Sequence, residues 1–271
     1  MWTEQVLSLP VALQKDGVDM FAYIMQLQGK AYRDVGVRKT IKVEIDGKSY
    51  FIKQHFGVGW PEIFKNLLSF KAPILGAMTE VIAIKKLDEV GIATTPLVAF
   101  GVRGLNPATQ QSFVMTKDLG DITSLEDVCL DWKNNPPESD FKRKVVIAMA
   151  QLAARLHKAG LCHRDFYLCH LALQKEKLAQ GDIELILVDL HRMLIGQASN
   201  GSAVMKDIAG LYFSTMDCGF TAEDWELFKQ HYLPQSADFW RKAEVRANQL
   251  YAKFHSDRFQ KRMGQQKVPM L

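Results

Sequence analysis

Residues Leu156 to Leu173 read LHKAGLCHRDFYLCHLAL. The stretch begins at the end of an apolar helical pattern, is punctuated by Gly160, and then sets three polar residues, His163, Arg164 and Asp165, before another apolar segment. A glycine just past the last helical residue is a stop signal, so the polar triad falls on a loop. Downstream, Ile183 to Val188 is a compact apolar run of β type, and it ends in a second carboxylate, Asp189. Two acidic residues therefore stand at loop positions, separated by enough chain for a hairpin and a returning strand. A surface turn with a local ion pair is the ordinary alternative for three polar residues after a helix.

This arrangement resembles the catalytic loop and metal-binding strand of kinases. Phosphoryl transfer needs a carboxylate beside the attacking hydroxyl and a second one on the metal that neutralises phosphate charge. Asp165 fits the first role and Asp189 the second, with His163 and Arg164 supporting the loop. The segment SYFIK, ending at Lys53, resembles the kinase strand whose lysine contacts the phosphates. Its partner is expected to be Glu80, at the start of a helix over Thr79 to Val90.

Two departures from the common kinase pattern stand out. The phosphate loop, Gly29 to Val37, has only two glycines, so backbone N–H groups near Gly36, assisted by Arg38, are expected to substitute for a glycine-rich run. His170 occupies the place where a metal-binding asparagine would stand. Magnesium prefers oxygen, so His170 is read three ways: as a metal ligand, as a phosphate contact or loop-holding group, or as a packed histidine. Lys206-Asp207 resembles the position where a buried kinase aspartate braces the catalytic loop, the competing reading being a charge on the first turn of a helix.

Working outward, Arg38 to His55 (RKTIKVEIDGKSYFIKQH) alternates apolar and polar residues on either side of Asp46-Gly47, which predicts a hairpin with a tight turn. Tyr23 to Arg33 reads as an earlier strand, with Asp34 to Val37 as the turn into the hairpin. Helices are predicted over Pro61 to Ser69 and Thr79 to Val90, and strands over Pro96 to Gly101 and Ser112 to Met115. Lys117-Asp118-Leu119-Gly120 is a polar break and the expected lobe boundary, with Lys117 and Leu119 set against the nucleotide. Beyond it Ser139 is expected to cap a long helix through Lys158, and Lys206 to Gln266 reads as mainly helical. The fold class is α+β: a two-lobed protein-kinase-like fold with a small antiparallel-sheet N-lobe (residues 1–118) and a mainly helical C-lobe (residues 119–271).

Composition agrees with an enzyme of this kind. The chain has 271 residues, 48% of them hydrophobic, enough to bury a substantial core, and a mild formal net charge of +4. It has no apolar run of about eighteen residues or more, and Met1 to Lys15 lacks the pattern of a secretory signal. Cys129, Cys162, Cys169 and Cys218 have neither zinc-finger nor disulfide-scaffold spacing, so a reduced, intracellular chain is expected.

The segments DFYLCHLAL, VDLHR, KDIAGLYFS and NPP, together with GKAYRDVGVRKT, KNLLSFKAPILGA and GLNPATQQSF, are similar to the bacterial lipopolysaccharide core heptose kinase family over most of the chain. The resemblance implies transfer of the γ-phosphate of ATP, with Mg2+, to heptose I of the lipopolysaccharide inner core at the cytoplasmic face of the inner membrane. Carried over, Asp165 is the base, Asp189 the metal ligand, Lys53 the phosphate contact and Glu80 its partner, and the family shares the Cys169-His170 pattern. Acyl carrier protein is a further partner that the family suggests, and no nucleic acid is expected. Arg241, Lys242, Arg246, Lys253, Arg258, Lys261, Arg262 and Lys267 would suit contact with phospholipid head groups, or simply a solvated helix face. The rival readings are a kinase of another sugar, a small molecule or a protein tyrosine, and an inactive nucleotide-binding scaffold at the membrane.

Overall fold

Asp46 and Gly47 both take positive φ, 52° and 68°, the backbone of a tight hairpin turn that Asp-Gly accommodates. They join β3 (Arg38–Ile45) to β4 (Lys48–His55) in antiparallel register, with Ile41 opposite Ile52 and Thr40 opposite Lys53. The computed structural model describes residues 3–6, 9–14, 16–68 and 76–265. Around the hairpin lie β1 (Thr3–Val6), β2 (Lys30–Val35), β5 (Leu97–Arg103) and β6 (Gln111–Lys117). They form one six-stranded antiparallel sheet in the order β1-β5-β6-β4-β3-β2, so β4, which carries Lys53, is central and paired on both sides.

The sheet, three helices and their neighbours make one of two units: residues up to Asp121, joined by Ile186–Met193. On one sheet face α1 (Met20–Gln26) buries Phe21, Ile24 and Met25, at helical spacing, against Ile41, Ile52, Phe113 and Met115. Gly101 is required there, because a side chain at that position would collide with the rings of Phe113 and Phe21. Truncating Phe113, which is fully buried, is expected to cost about 3–5 kcal/mol. The helix replaces the strand expected from Tyr23. Asp19 decides this locally: its carboxylate accepts the Ala22 N–H at 3.0 Å, capping a first turn, and is itself clamped by both terminal nitrogens of Arg103. Only Lys30–Val35 of that region is strand, and the turn into the hairpin narrows to Gly36-Val37.

α2 (Gly59–Leu68) and α3 (Met78–Glu89) follow, close to the expected helices. Ser69, and residues 69–75 of the KNLLSFKAPILGA segment, lie outside the described residues. The apolar run before Asp189 forms only a short strand, β9 (Ile186–Leu187), which meets the chain at Ala93 and Thr94.

The second unit spans Ile122–Leu185 and Leu194 onward and is mainly helical. It contains β7 (Ile122–Ser124) paired with β8 (Leu171–Gln174), and the helices α4 (Leu125–Cys129), α5 (Ser139–Lys158), α6 (Lys175–Ala179), α7 (Ser202–Thr215), α8 (Ala222–His231), α9 (Ala237–Phe254) and α10 (Asp257–Gln265). α5 ends where expected, with Gly160 at φ 72°, but Ser139 is its first residue and Glu138 the cap, with no side-chain cap bond. The predicted capping residue thus sits one position too late to be outside the helix. α8 has a full capping box, Thr221 and Asp224 each bonding the other's backbone N–H. The four cysteines are free thiols. Burial pushes Cys218 up to about 11 and Cys162 up to about 12, so both are inert at neutral pH. Among the described residues no helix is long and apolar enough to cross a membrane.

Candidate active site

In the second unit the stretch Leu156–Leu173 folds as the end of α5, a loop, a 3-10 turn over Leu168–His170, and β8. Arg164 takes φ 72°, a left-handed conformation that costs a non-glycine residue about 1–2 kcal/mol, and Asp207 supplies the compensation. Asp207 is buried in the middle of α7, not on its first turn, and its carboxylate accepts the backbone N–H of His163 at 2.5 Å and of Arg164 at 2.8 Å. The expected brace is therefore formed, and the first-turn reading is set aside. Gly210, one turn further along α7, lets that helix approach the loop, because a side chain there would press on the Phe166 carbonyl and the Tyr167 ring.

The brace is deeper than the sequence reading supposed. The His157 ring, fully buried on the core stripe of α5, lies 3.4 Å from Asp207 through Nε2 and 2.6 Å from the Tyr232 hydroxyl through Nδ1. A neutral imidazole with its proton on Nε2 satisfies both: it donates to Asp207 and accepts from the tyrosine. Burial raises the Tyr232 phenol, which keeps its hydrogen in place as the donor. Cys162 stands within reach of His157 and Asp207, a grouping that could in principle hold a metal ion. Both ring nitrogens and both carboxylate oxygens already have partners, so the cluster reads as a strut. His157 could have been suspected from sequence, because it extends the apolar stripe Val146, Ala150, Ala153 as a polar residue. Tyr232 carried no comparable signal.

Asp165, half-buried, has its carbonyl oxygen held by the Tyr167 N–H at 3.0 Å and by His170 Nδ1 at 2.6 Å. This bond favours the loop-holding reading of His170 and takes its Nδ1 away from any ion. His163 is buried, its ring packed near those of Phe166 and His170, while Arg164 is exposed.

In the first unit, Lys53 extends from the central strand to Glu80 on α3, Nζ to Oε1 2.7 Å, with Glu80 almost wholly buried. The expected ion pair is formed, and burial of the carboxylate distinguishes it from a solvated helix charge. Asp189 takes φ 63° and begins a 3-10 turn over Leu190–Arg192. Its carboxylate lies 2.6 Å from His191 Nδ1. Its oxygens are the hard donors that magnesium takes, which an imidazole is not. Gly36 is at the β2–β3 turn with φ 58°, and Arg38 opens β3 opposite His55. Burial holds His55 down at about 4, with Arg38, Lys53 and His191 adding positive field. Lys117 ends β6 and is exposed, Leu119 is half-buried, and Asp118 between them is paired with Lys42. Among the C-terminal cations, Arg241 and Lys242 both pair with Asp238, and Arg246, Lys253, Arg258 and Lys261 are exposed. The Arg262 side chain and Lys267 lie outside the described residues.

The model of the Lipopolysaccharide kinase (Kdo/WaaP) family matches residues 22–232. The chain is 42% identical to the lipopolysaccharide core heptose(I) kinase WaaP of Pseudomonas aeruginosa over 228 residues, 84% of this chain and 85% of the relative. It is 41% identical to the enzyme of that name from Escherichia coli K12 over 225 residues, 82% of this chain and 85% of the relative. A solved structure of WaaP in complex with acyl carrier protein superposes with a TM-score of 0.77 at 36% identity, covering 91% of this chain and 98% of that one.

Proposed function

This chain belongs to the lipopolysaccharide kinase (Kdo/WaaP) family, and from that premise we propose that it is a lipopolysaccharide core heptose(I) kinase, transferring the γ-phosphate of ATP to heptose I of the inner core. The observation that carries this reading is identity above 40% to two heptose(I) kinases across more than four-fifths of the chain. A braced loop presenting Asp165 agrees with it.

In this reading Asp165 accepts the proton of the heptose hydroxyl as that oxygen attacks the γ-phosphorus, whose bond to the β–γ bridging oxygen breaks to release ADP. The held carbonyl of Asp165 and the Asp207 bonds to His163 and Arg164 fix the backbone from which the carboxylate projects, so little reorganisation accompanies the attack. Lys53, oriented by Glu80, contacts the ATP phosphates, with Gly36 and Arg38 assisting. Lys117 and Leu119 line the nucleotide. Asp189 holds Mg2+, whose chemistry when bound is to neutralise charge on the transferring phosphate. His170 stays a secondary ligand candidate.

Acyl carrier protein is the proposed protein partner, supported by the solved complex of the related WaaP. Peripheral contact with the cytoplasmic face of the inner membrane is proposed through Arg246, Lys253, Arg258 and Lys261, exposed cations of α9 and α10 apart from the two that pair with Asp238. Salt-dependent liposome binding, weakened when these four are neutralised, checks it.

The central test is phosphorylation of inner-core lipopolysaccharide lacking its heptose I phosphate. The wild-type chain with Mg2+ and ATP is expected to phosphorylate it, and Asp165→Ala to lower the rate by about 10²–10⁴-fold with the fold intact. Equal turnover by both proteins would remove Asp165 from the mechanism.

A further inference from the structure

Asp189 is presented from an unusual backbone. With φ 63° and ψ 55° it lies in the left-handed region, and nothing in that conformation alone fixes the direction of its carboxylate. The chain that follows is fixed, however. Leu190, which opens the 3-10 turn, and Met193, which follows it, are buried, and the turn packs against α3, the helix that also carries Glu80. Between those two anchors stands His191, whose side chain is 17% exposed while that of Asp189 is 42% exposed. The better-buried imidazole is thus the more restrained member of the pair. Its Nδ1 lies 2.6 Å from Asp189 Oδ1.

We infer that His191 is a positioning residue: its Nδ1–H donates to Asp189 Oδ1 and sets the plane in which the carboxylate meets a divalent cation. This rests on the reading of Asp189 as the metal ligand. Carboxylate ligands that swing freely bind metal weakly, and hydrogen-bond partners behind them typically contribute 10–100-fold in affinity, roughly. The two-residue spacing matters, because in a tight turn it places a ring nitrogen, and not a longer side chain's tip, against the carboxylate. Asparagine at position 191 can put an amide nitrogen where Nδ1 stands. Glutamine, whose amide matches the more distant Nε2, cannot.

The experiment is a titration of Mn2+ by electron paramagnetic resonance against the full-length chain saturated with a non-hydrolysable ATP analogue. His191→Ala and His191→Gln are expected to weaken Mn2+ binding by about 10-fold or more. His191→Asn is expected to stay within about threefold of the wild type, and binding of the analogue without metal to be equal in all four proteins. Because the asparagine and glutamine proteins differ by one methylene, the contrast between them survives even if the alanine protein folds poorly. Wild-type Mn2+ affinity in His191→Gln, or equal loss in the asparagine and glutamine proteins, would overturn the positioning role. Asp189→Asn separates this from the premise: it should abolish the Mn2+ site, and wild-type binding in that protein would show that Asp189 is no ligand at all.

Discussion

The Lys53–Glu80 pair in the first unit and the Asp207 brace in the second both hold a group assigned to phosphoryl transfer, but by opposite means. Lys53 and Glu80 meet side chain to side chain, 27 residues apart in sequence, with the lysine still partly open to water. Asp207 is wholly buried and bonds the main chain of His163 and Arg164. A charge that meets one other side chain can be lost with a single group deprived of its partner, here the buried Glu80 carboxylate. A buried charge that satisfies two backbone N–H groups cannot, because its removal leaves those donors without partners in the interior. The first device orients a reactive group at modest cost to the fold, whereas in the second, orientation and stability are one interaction.

The sharpest way to break this contrast is Asp207→Ala. Losing the brace is expected to cost about 3–5 kcal/mol of stability, the scale of a disrupted buried charge network, together with most of the activity, seen as a large fall in the denaturant midpoint. Lys53→Ala should behave otherwise: activity down by about 10²–10³-fold, the size of a lost electrostatic contact to the transferring phosphate, with a smaller fall in the denaturant midpoint than Asp207→Ala, because a single side chain, the Glu80 carboxylate, loses its partner. A Lys53→Ala protein as unstable as Asp207→Ala would erase the distinction.

A third test separates the units by pH. The His55 imidazole titrates at about 4 in the folded chain against an ordinary value of 6.5, so between those values the unfolded chain binds more protons. Stability from this group is complete above about 6.5, falls as pH drops through the window, and stops falling below about 4, a loss of roughly 3 kcal/mol. His55→Leu should flatten that slope in denaturant melts at pH 7 and pH 4.5. The smallest effect belongs to the outer end of the brace. Tyr232→Phe removes the hydroxyl that bonds His157 and should cost about 1 kcal/mol, with a decline in activity smaller than that of Asp207→Ala.

Much of this was legible from residue types alone. Asp46-Gly47 announced the hairpin, the hairpin placed Lys53 on a strand, and Glu80 followed at the head of the second helix after it. What could not be read was long-range. The Tyr23 region has strand-like composition, and only the Asp19 cap with its Arg103 clamp, made across the fold, turns it into α1. Asp207 was legible as a brace and His157 as a polar residue on the apolar stripe of α5, but Tyr232 carried no signal, and their union in one strut exists only in the folded interior. His191 was in plain view in VDLHR, but its use depends on the left-handed backbone of Asp189, which no residue pattern announces.

The most direct check on the central claim follows the phosphate itself. Wild-type chain, given ATP labelled with ¹⁸O in its γ-phosphate and an inner-core acceptor, is predicted to place the label on heptose I, located by tandem mass spectrometry, and Asp165→Ala to label that sugar at least about a hundredfold more slowly. Label found on another sugar, on protein alone, or as free phosphate with heptose I untouched would contradict it.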